Sequence, residues 1–372
     1  MRRSVLVLSA SLVLGMAAPA AAAPGFVELG RLPGDLGSRV SAMNDAGDVA
    51  GESMTGNSRH AVRWNRDGGI TKLPDLGGGE STVYDINNRG TVVGAAARTT
   101  FDWPAVRWNG AEVTVLATPP GVTATRAWDV NETDVIVGDA VVGQERKAVK
   151  WTAANKLIVL PTPAGAWTAS AVKVNDRGVV AGVATFADDS VHVVRWDAQG
   201  RVADLGTFGG TVELAAINAS GVVVGSGYDP RTTQTFPFRS NASGGLDALG
   251  VGSGGSAHAY DVNDSGQVVG DSLTKEPRWL PGGWRPDGSI RSLPEAPRDP
   301  EDGSGSKVLS INNAGLAVGE SHGFPVRWTA GDRLVVLAKT SGGAATASLV
   351  NRSGLTAGIV HEGGFPQAVL WR

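Results

Sequence analysis

The chain of 372 residues contains no cysteine at all. This absence excludes disulfide bonds, cysteine-based zinc sites and a lipid anchor on an N-terminal cysteine, so packing alone must stabilise the fold. Long apolar runs are also missing. Beyond the N-terminal segment no stretch approaches 18 apolar residues, and we therefore predict no membrane anchor.

Excess charge of one sign is equally lacking, since 33 Lys and Arg stand against 36 Asp and Glu for a net charge of −3. Nucleic acids and anionic lipids both require a basic face, so neither is a predicted partner. The five histidines show no metal-ligand spacing. We predict no metal site and no cofactor.

The N-terminus has the composition of an export signal. Met1-Arg2-Arg3 is followed by an apolar run from Val5 to Ala18 and a small-residue tract that ends at Ala23. A basic start, a short apolar segment and small residues before a cleavage point are typical of a secretory signal peptide. We predict a signal peptide over residues 1–23 and a secreted, extracellular protein; the alternative is a buried N-terminal helix.

One phrase, apolar-Asn-x-x-Gly-x-x-x-Gly, fills the rest of the chain in eight copies. Self-similarity at a period of about 44 residues indicates a repeat architecture built from one supersecondary unit. The asparagines of the eight copies are Asn44, Asn87, Asn131, Asn175, Asn218, Asn263, Asn312 and Asn351.

The second copy shows four strand-like runs, at 81–87, 91–94, 104–108 and 113–116. Each run is short, rich in β-branched or aromatic residues and bounded by turn-forming residues, and no segment has a sustained helical period. The Asn-x-x-Gly step predicts a tight turn in which the Asn side chain bonds nearby backbone and Gly adopts a positive φ. The third copy has Asp134 in place of that Gly.

A tryptophan ends the third run in seven copies, and Ser240 stands there in the fifth. A large ring that recurs once per repeat predicts core between sheets rather than a ligand platform. We expect the second Gly of the phrase to let this ring approach closely. The seven repeat tryptophans are Trp64, Trp108, Trp151, Trp196, Trp284, Trp328 and Trp371.

Four strands per repeat are typical of a propeller blade. The fourth-strand pattern, apolar-x-x-Leu, follows seven copies, is missing after the eighth, and has a spare copy at Phe26-Val27-Glu28-Leu29. We therefore predict an all-β fold, a single eight-bladed β-propeller over residues 24–372, closed by pairing the N-terminal strand with the last blade. The alternatives are an open solenoid or two smaller propellers.

Three stretches resemble the HAF-type extracellular repeat of bacteria, named for a His-Ala-Phe stretch before a Trp. They are Asp204-Leu205-Gly206-Thr207-Phe208-Gly209-Gly210, Ile217-Asn218 with Gly221 to Gly225, and His60-Ala61-Val62-Arg63-Trp64, where Val62 replaces the Phe. The resemblance covers essentially the whole chain after the signal segment. It implies export and a propeller-like repeat fold, and it implies no catalytic residues.

In such a meander the Asn turns share one face of the ring, while the links between second and third strands and between blades share the other. The latter vary in length and sequence, and binding usually resides on variable loops held by a rigid scaffold. Aromatic, acidic and histidine side chains that the repeat does not demand are the candidate ligand-binding residues; the alternative is that the aromatics cap the core. They are Trp103, Trp167, Trp279, Tyr228, Glu320, His322 and His361.

Carboxylates form a further candidate group because a propeller channel can gather them into an acidic ring for cations or acid–base chemistry. Ordinary turn capping and channel hydration are the alternative. Four follow the second Gly and three precede the Asn on the first strand: Glu52, Asp139, Asp271 and Glu320, then Asp85, Asp129 and Asp261.

The favoured functional hypothesis is a secreted, monomeric binding or scaffold module that recognises an extracellular protein, glycan or cell-wall material through the variable loops. The alternative is an extracellular lyase, hydrolase or cyclase with a carboxylate and histidine site in the central funnel. A surface-coat protein is a third possibility. Because one fold supports all three, a site must decide.

Overall fold

The computed structural model describes residues 25–118, 121–298, 305–339, 343–362 and 364–372, and all its regular elements are β-strands. The predicted signal peptide lies outside these residues. Within them no helix is long and apolar enough to cross a bilayer. The strands form eight four-stranded antiparallel sheets, each the blade of a propeller.

Each blade is a meander, and in blades 1 to 7 its four strands follow one another in chain order. Blade 1 comprises β2 (Gly37–Met43), β3 (Val49–Met54), β4 (Arg59–Trp64) and β5 (Ile70–Lys72). Blade 2 comprises β6 (Ser81–Ile86), β7 (Thr91–Ala96), β8 (Ala105–Asn109) and β9 (Glu112–Val115). Blade 3 comprises β10 (Val122–Val130), β11 (Ile136–Val142), β12 (Glu145–Trp151) and β13 (Leu157–Val159), and blade 4 comprises β14 (Ala166–Val174), β15 (Val180–Phe186), β16 (Val191–Trp196) and β17 (Val202–Gly206).

Blades 5 to 8 repeat the arrangement, except that the outermost strand of blade 8 comes from the N-terminus. Blade 5 comprises β18 (Val212–Ile217), β19 (Val223–Asp229), β20 (Gln234–Ser240) and β21 (Leu246–Ala248). Blade 6 comprises β22 (Ala257–Val262), β23 (Val268–Leu273), β24 (Trp279–Trp284) and β25 (Ile290–Ser292). Blade 7 comprises β26 (Ser306–Ile311), β27 (Ala317–Ser321), β28 (Phe324–Trp328) and β29 (Leu334–Val336), and blade 8 comprises β30 (Ala345–Val350), β31 (Thr356–Glu362), β32 (Phe365–Trp371) and β1 (Phe26–Glu28).

The predicted closure is confirmed. Strand β1 pairs antiparallel with β32, with Phe26 opposite Trp371 and Glu28 opposite Val369. The first strand of each blade contacts the first strand of the next, and β30 contacts β2, so the ring is continuous. A closed ring leaves no blade with a missing strand, which removes the free sheet edges of an open array.

The meander sorts the connections onto two faces. The Asn-turn face carries the turns between first and second strands, such as 44–47, and those after the repeat tryptophans. The variable-loop face carries the links between second and third strands, such as 97–104 and 274–278, and the links between blades. This division follows the sequence prediction, and it places the predicted binding residues at one end of the ring.

The asparagines do more than cap their own turns. In every blade the Asn Oδ1 accepts a hydrogen bond from the backbone N–H four residues later. In six blades it also accepts one from the backbone N–H two residues later. For Asn131 the donors are Val135 and Thr133, at 3.0 Å each. The Nδ2 group also donates to the backbone carbonyl of the next blade's Asn, from Asn131 to Asn175 at 3.0 Å. All eight asparagines make this inter-blade bond, which the repeat pattern did not predict.

The repeat tryptophans form the core between blades, as predicted. All seven are at most 2% exposed, and each Nε1–H donates to a backbone carbonyl 33–35 residues earlier, as from Trp196 to Pro161 at 2.8 Å. Blade 5 differs because Ser240 accepts a bond from the Val223 N–H at 2.9 Å, while the Phe238 ring occupies the space beside Gly225. A residue two places earlier thus replaces the missing indole.

The main structural requirement for glycine at the second Gly of the phrase differs from the predicted one. A β-bulge in every first strand drives a backbone carbonyl toward this Gly, and a Cβ on Gly138 would lie 1.8 Å from the Arg126 carbonyl oxygen. The expected approach of the repeat Trp is present but secondary, as at Gly182, where a Cβ would meet Trp196 at 2.9 Å. The bulge tolerates only Gly opposite it.

Candidate functional site

All seven predicted ligand-binding residues lie toward the variable-loop face, but most of them lie on strand ends rather than in loops. Only Trp103 and His322 lie in links between strands, Trp103 between β7 and β8 and His322 between β27 and β28. The other five lie on strands β14, β19, β24, β27 and β31: Trp167, Tyr228, Trp279, Glu320 and His361.

The structure brings two of these residues together at the boundary between blades 6 and 7. Trp279 of blade 6 and Glu320 of blade 7 line a cavity of about 360 Å³, which we name the blade 6–7 pocket. Its other lining residues are His258, Tyr260, Asp271, Gly305, Ser306 and Lys307.

An Asp–His–Tyr group forms one wall of this pocket. Asp271 is almost fully buried, with one carboxylate oxygen 2.9 Å from His258 Nδ1 and the other accepting the Tyr260 hydroxyl at 3.0 Å. Burial, followed by repulsion from the Asp271 carboxylate, raises the pKa of Tyr260 well above its ordinary value. The phenol therefore stays protonated and keeps donating to Asp271.

Aromatic rings define the apolar part of the same pocket. The His258 imidazole lies against the Trp279 indole, with ring centroids 4.7 Å apart and planes inclined by 35°. It also stacks on Tyr260, at 5.9 Å and 22°. His258 Nδ1 faces Asp271 and, among the described residues, Nε2 has no hydrogen-bond partner. An Asp-oriented imidazole with a free second nitrogen can accept or donate a proton or a ligand hydrogen bond.

The pocket exists because one inter-blade bond is replaced at this boundary. Elsewhere the carboxylate after the second Gly accepts a hydroxyl from the next blade, as Asp139 does from Ser170 at 2.9 Å and Glu320 from Thr346 at 2.8 Å. In the blade that follows Asp271, the position equivalent to Ser170 and Thr346 holds Lys307. Its Nζ lies 3.8 Å from Glu320 of its own blade. Without the inter-blade bond, the space between Asp271 and blade 7 is open.

His322 lies behind the pocket rather than in it. Its side chain is almost fully buried and pairs with Glu295 at 3.0 Å, and that carboxylate also accepts the Ser306 hydroxyl at 2.8 Å. Its backbone has a positive φ of 51°. This arrangement supports the pocket wall through Ser306, so His322 does not contact the pocket itself.

The remaining candidates are dispersed around the ring. Trp167 is 49% exposed on blade 4, with Nε1 bonded to the Phe186 carbonyl, Tyr228 is 37% exposed on blade 5, and His361 is exposed on blade 8. Trp103 lines a separate cavity of about 770 Å³, formed by blades 2 and 3 together with Arg59 of blade 1, which we name the blade 2–3 pocket.

The predicted acidic ring is divided into two levels. The carboxylates after the second Gly lie toward the variable-loop face, whereas those of the first strands lie deeper and link blades through backbone N–H groups. Asp85 accepts from Val130 at 3.0 Å, and Asp129 accepts from Val174 at 2.7 Å. The same residue type therefore serves two structural purposes along the channel.

The deep level carries an unusual balance of charge around a channel cavity of about 500 Å³. Lys173 Nζ lies 3.3 Å from Asp129, and that carboxylate raises the pKa of Lys173. Burial, and then repulsion from Asp129, raises the pKa of Asp85 to about 8. Burial also raises the pKa of Asp261. Hydrogen bonds that fix blades together occupy most of these oxygens.

Sequence reasoning missed Tyr260 and Lys307 and did not connect His258 with Asp271. A signal was present in the repeat itself. All four carboxylates after the second Gly have a cationic or imidazole residue five positions before the Asn, and the other four copies have neither. The pairs are Arg39 with Glu52, Arg126 with Asp139, His258 with Asp271 and Lys307 with Glu320, and each is directly opposite in the strand register.

Within the described residues, no cluster of three or more His, Asp or Glu side chains has the geometry of a metal site. The groups that the blade 6–7 pocket presents to a ligand are aromatic, acidic and basic side chains.

Comparisons with known proteins identify the fold and no relative. No protein family model and no curated protein matches the chain. Puromycin hydrolase is similar in structure, with 13% sequence identity and a TM-score of 0.52 over 89% of this chain and 60% of the hydrolase. A mutant of the hydrolase complexed with PGG has 11% sequence identity and a TM-score of 0.53, with the same coverage of both chains. Virginiamycin B lyase from Staphylococcus aureus has 11% sequence identity and a TM-score of 0.44, over 94% of this chain and 99% of the lyase. At 11–13% identity the likeness to puromycin hydrolase shows the β-propeller fold alone.

Proposed function

We propose that the protein is a secreted β-propeller that binds a carbohydrate in the blade 6–7 pocket. One observation carries the proposal: an indole, an imidazole, two carboxylates and an ammonium group converge on one cavity of about 360 Å³. Pockets of roughly 300–1,000 Å³ hold small ligands, so this volume suits one or two sugar rings.

The chemistry of the lining matches that of a sugar. Trp279 offers a flat apolar face for the C–H side of a pyranose ring, and its packing on His258 fixes its orientation. Glu320 and Asp271 are acceptors for hydroxyl groups, and Lys307 is a donor. A few fixed polar groups beside an aromatic platform orient such a ligand and determine its specificity.

Calorimetric titration with a panel of neutral tetrasaccharides tests this proposal. We expect wild-type protein to bind at least one of them, and Trp279→Ala to reduce the affinity at least about tenfold, because the ring supplies the main apolar contact. Trp167→Ala is the matched control, since Trp167 is half exposed on blade 4. No binding by wild type, or equal losses in the two variants, would contradict the proposal.

A catalytic role is the second candidate, and the bond between Asp271 and His258 Nδ1 favours it. An imidazole oriented by a buried carboxylate is the usual form of a general base or acid. If the protein cleaves the ligand, mass spectrometry of a bound oligosaccharide will show shorter products with wild type and none with His258→Gln. Unchanged oligosaccharide after prolonged incubation with wild type leaves binding as the function.

Export is part of the proposal, supported by the N-terminal composition and by the resemblance to HAF-type repeats. We expect expression of the full chain in a bacterial host to release a mature form that begins at Pro24. N-terminal mass spectrometry of the culture medium and the cell fractions measures this. Retention of uncleaved Met1 in the cytoplasm would contradict it.

A further inference from the structure

The blade 2–3 pocket has the opposite charge to the rest of the molecule. Among its charged lining residues are three arginines, Arg59, Arg98 and Arg126, and one carboxylate, Asp102. The whole chain carries a net charge of −3. A local excess of guanidinium groups on an acidic protein attracts anions selectively to this pocket.

Two of the three guanidinium groups are available to a ligand. Arg98 pairs with Asp102 at 3.3 Å. Among the described residues, Arg59 and Arg126 have no carboxylate within ion-pair distance. The Arg126 guanidinium lies 5.7 Å from the centre of the Trp128 ring, which holds it in place without neutralising it.

A hydroxyl donor lines the pocket beside these guanidinium groups. Tyr84 packs on Trp128 with ring centroids 4.8 Å apart and lines the same pocket. Burial, the largest effect, raises the pKa of Tyr84, and so do the carboxylates of Glu52 and Asp139, although the positive charges of Arg126 and Arg59 act in the opposite direction. The phenol is therefore protonated and can donate to an anionic oxygen alongside the two arginines.

An aromatic rim, formed by Phe101 and Trp103, borders the same pocket. The turn from Arg98 to Trp103 is held by the Arg98 N–H to Asp102 carbonyl bond at 2.9 Å and by the Trp103 Nε1 bond to Thr100 at 3.2 Å. It presents Phe101 with 97% of its surface exposed. An exposed apolar ring at the edge of a cavity is a feature of ligand-binding sites.

We propose that the blade 2–3 pocket is a second ligand site, specific for an acidic saccharide, with its carboxylate on Arg59, Arg126 and Tyr84 and its sugar ring against Trp103 and Phe101. Guanidinium groups match the planar geometry of a carboxylate, and the aromatic rim matches the C–H face of a pyranose. An inorganic anion alone would contact Arg59, Arg126 and Tyr84 but would leave Trp103 and Phe101 without a contact.

The two pockets are independent. The boundary between blades 2 and 3 is four blades away from the boundary between blades 6 and 7, so in an eightfold ring they lie on opposite sides of the axis. They share no lining residue. Loss of one site therefore leaves the other measurable, and either proposal can fail alone.

A matched pair of ligands provides the test. β-1,4-linked tetraglucuronate and cellotetraose have the same backbone and differ by the carboxylate at C6. In calorimetric titrations we expect Trp279→Ala, in which the blade 6–7 pocket is weakened, to bind tetraglucuronate at least about tenfold more tightly than cellotetraose. Arg59→Gln and Arg126→Gln should each lower tetraglucuronate affinity at least about tenfold, because each removes a charge-assisted bond.

The control variant is Arg333→Gln, an exposed arginine in the turn after Trp328 on the Asn-turn face. It should bind tetraglucuronate like wild type. Failure of wild type to bind tetraglucuronate, no preference of Trp279→Ala for tetraglucuronate over cellotetraose, or an equal loss in Arg333→Gln would overturn the proposal. So would tighter binding of inorganic phosphate or double-stranded DNA, which would indicate an anion site without saccharide specificity.

Discussion

Asn351 donates a hydrogen bond from its Nδ2 to the backbone carbonyl of Asn44, 307 positions earlier in the chain, at 3.2 Å. This is the bond that completes the circle of eight asparagine contacts begun at Asn44. The pairing of β1 with β32 closes the ring at its outer edge, and this bond closes it at the axis. The propeller is therefore closed at two radii.

The asparagine circle predicts that Asn131→Asp is destabilising. The carboxylate still accepts from Thr133 and Val135, but it loses the donor to the Asn175 carbonyl and places two oxygens about 3 Å apart. We expect the free energy of unfolding to fall by about 1–3 kcal/mol at pH 7. Asn65→Asp is the control, because Asn65 caps only its own exposed turn. Equal effects in urea denaturation would contradict the inter-blade role.

The bulge opposite the second Gly predicts that Gly138→Ala is poorly tolerated. Its Cβ would lie 1.8 Å from the Arg126 carbonyl oxygen, so one strand must move. We expect a loss of about 1–3 kcal/mol or more in unfolding free energy. Gly56→Ala, where the added Cβ meets nothing within 4 Å, should be neutral or slightly stabilising. Thermal unfolding of both variants measures the difference, and a stable Gly138→Ala would contradict the explanation.

Blade 5 predicts a coupled pair of substitutions. Ser240→Trp alone forces an indole into space that Phe238 already fills, and should destabilise by about 1–3 kcal/mol. Phe238→Val combined with Ser240→Trp restores the arrangement seen beside Trp196 of blade 4, where Val194 is the equivalent residue. The double variant should recover most of the lost stability in chemical denaturation. Additive losses would show that Phe238 does not replace the indole.

The pKa of Asp85, raised to about 8, predicts a pH dependence of stability. Between about pH 4 and pH 8 the folded protein keeps this proton while the unfolded chain releases it, so the contribution of Asp85 to stability falls as pH rises. The slope is up to about 1.4 kcal/mol per pH unit. Asp85→Asn, which keeps an acceptor for the Val130 N–H, removes this slope and is more stable than wild type at pH 8.

Denaturation midpoints of wild type and Asp85→Asn across pH 4–9 check this expectation. Asp67→Asn is the control for a simple loss of charge, because the Asp67 side chain is 90% exposed. It should leave the slope unchanged. Parallel pH profiles for wild type and Asp85→Asn would mean that Asp85 is ionised in the folded protein.

The fold was predictable because every blade repeats the same local requirements. The Asn turn and the Gly opposite the bulge recur at fixed positions in all eight blades and the buried Trp in seven, and counting strands placed Phe26–Leu29 in blade 8. The bond from each Asn to the next was not predictable, because nothing in a single repeat shows the distance between neighbouring turns. Likewise, the role of Phe238 depends on a cavity that only packing reveals.

The candidate site was predictable only in part. Trp279 and Glu320 were identified as residues that the repeat does not require, and they do meet in one pocket. Trp167, Tyr228 and His361 satisfied the same criterion and lie elsewhere, since that criterion carries no information about which blades adjoin. His258 and Asp271 are opposite each other in the register, and Tyr260 lies at the bulge where spacing alone misplaces a side chain.

Binding to a broad array of neutral and acidic glycans tests the central claim most directly. Labelled wild type, Trp279→Ala and Trp167→Ala are applied in parallel. We predict that wild type and Trp167→Ala bind the same neutral glycans, and that Trp279→Ala loses these signals while keeping any acidic ones. Absence of neutral glycan binding by wild type, or its persistence in Trp279→Ala, would contradict a carbohydrate site between blades 6 and 7.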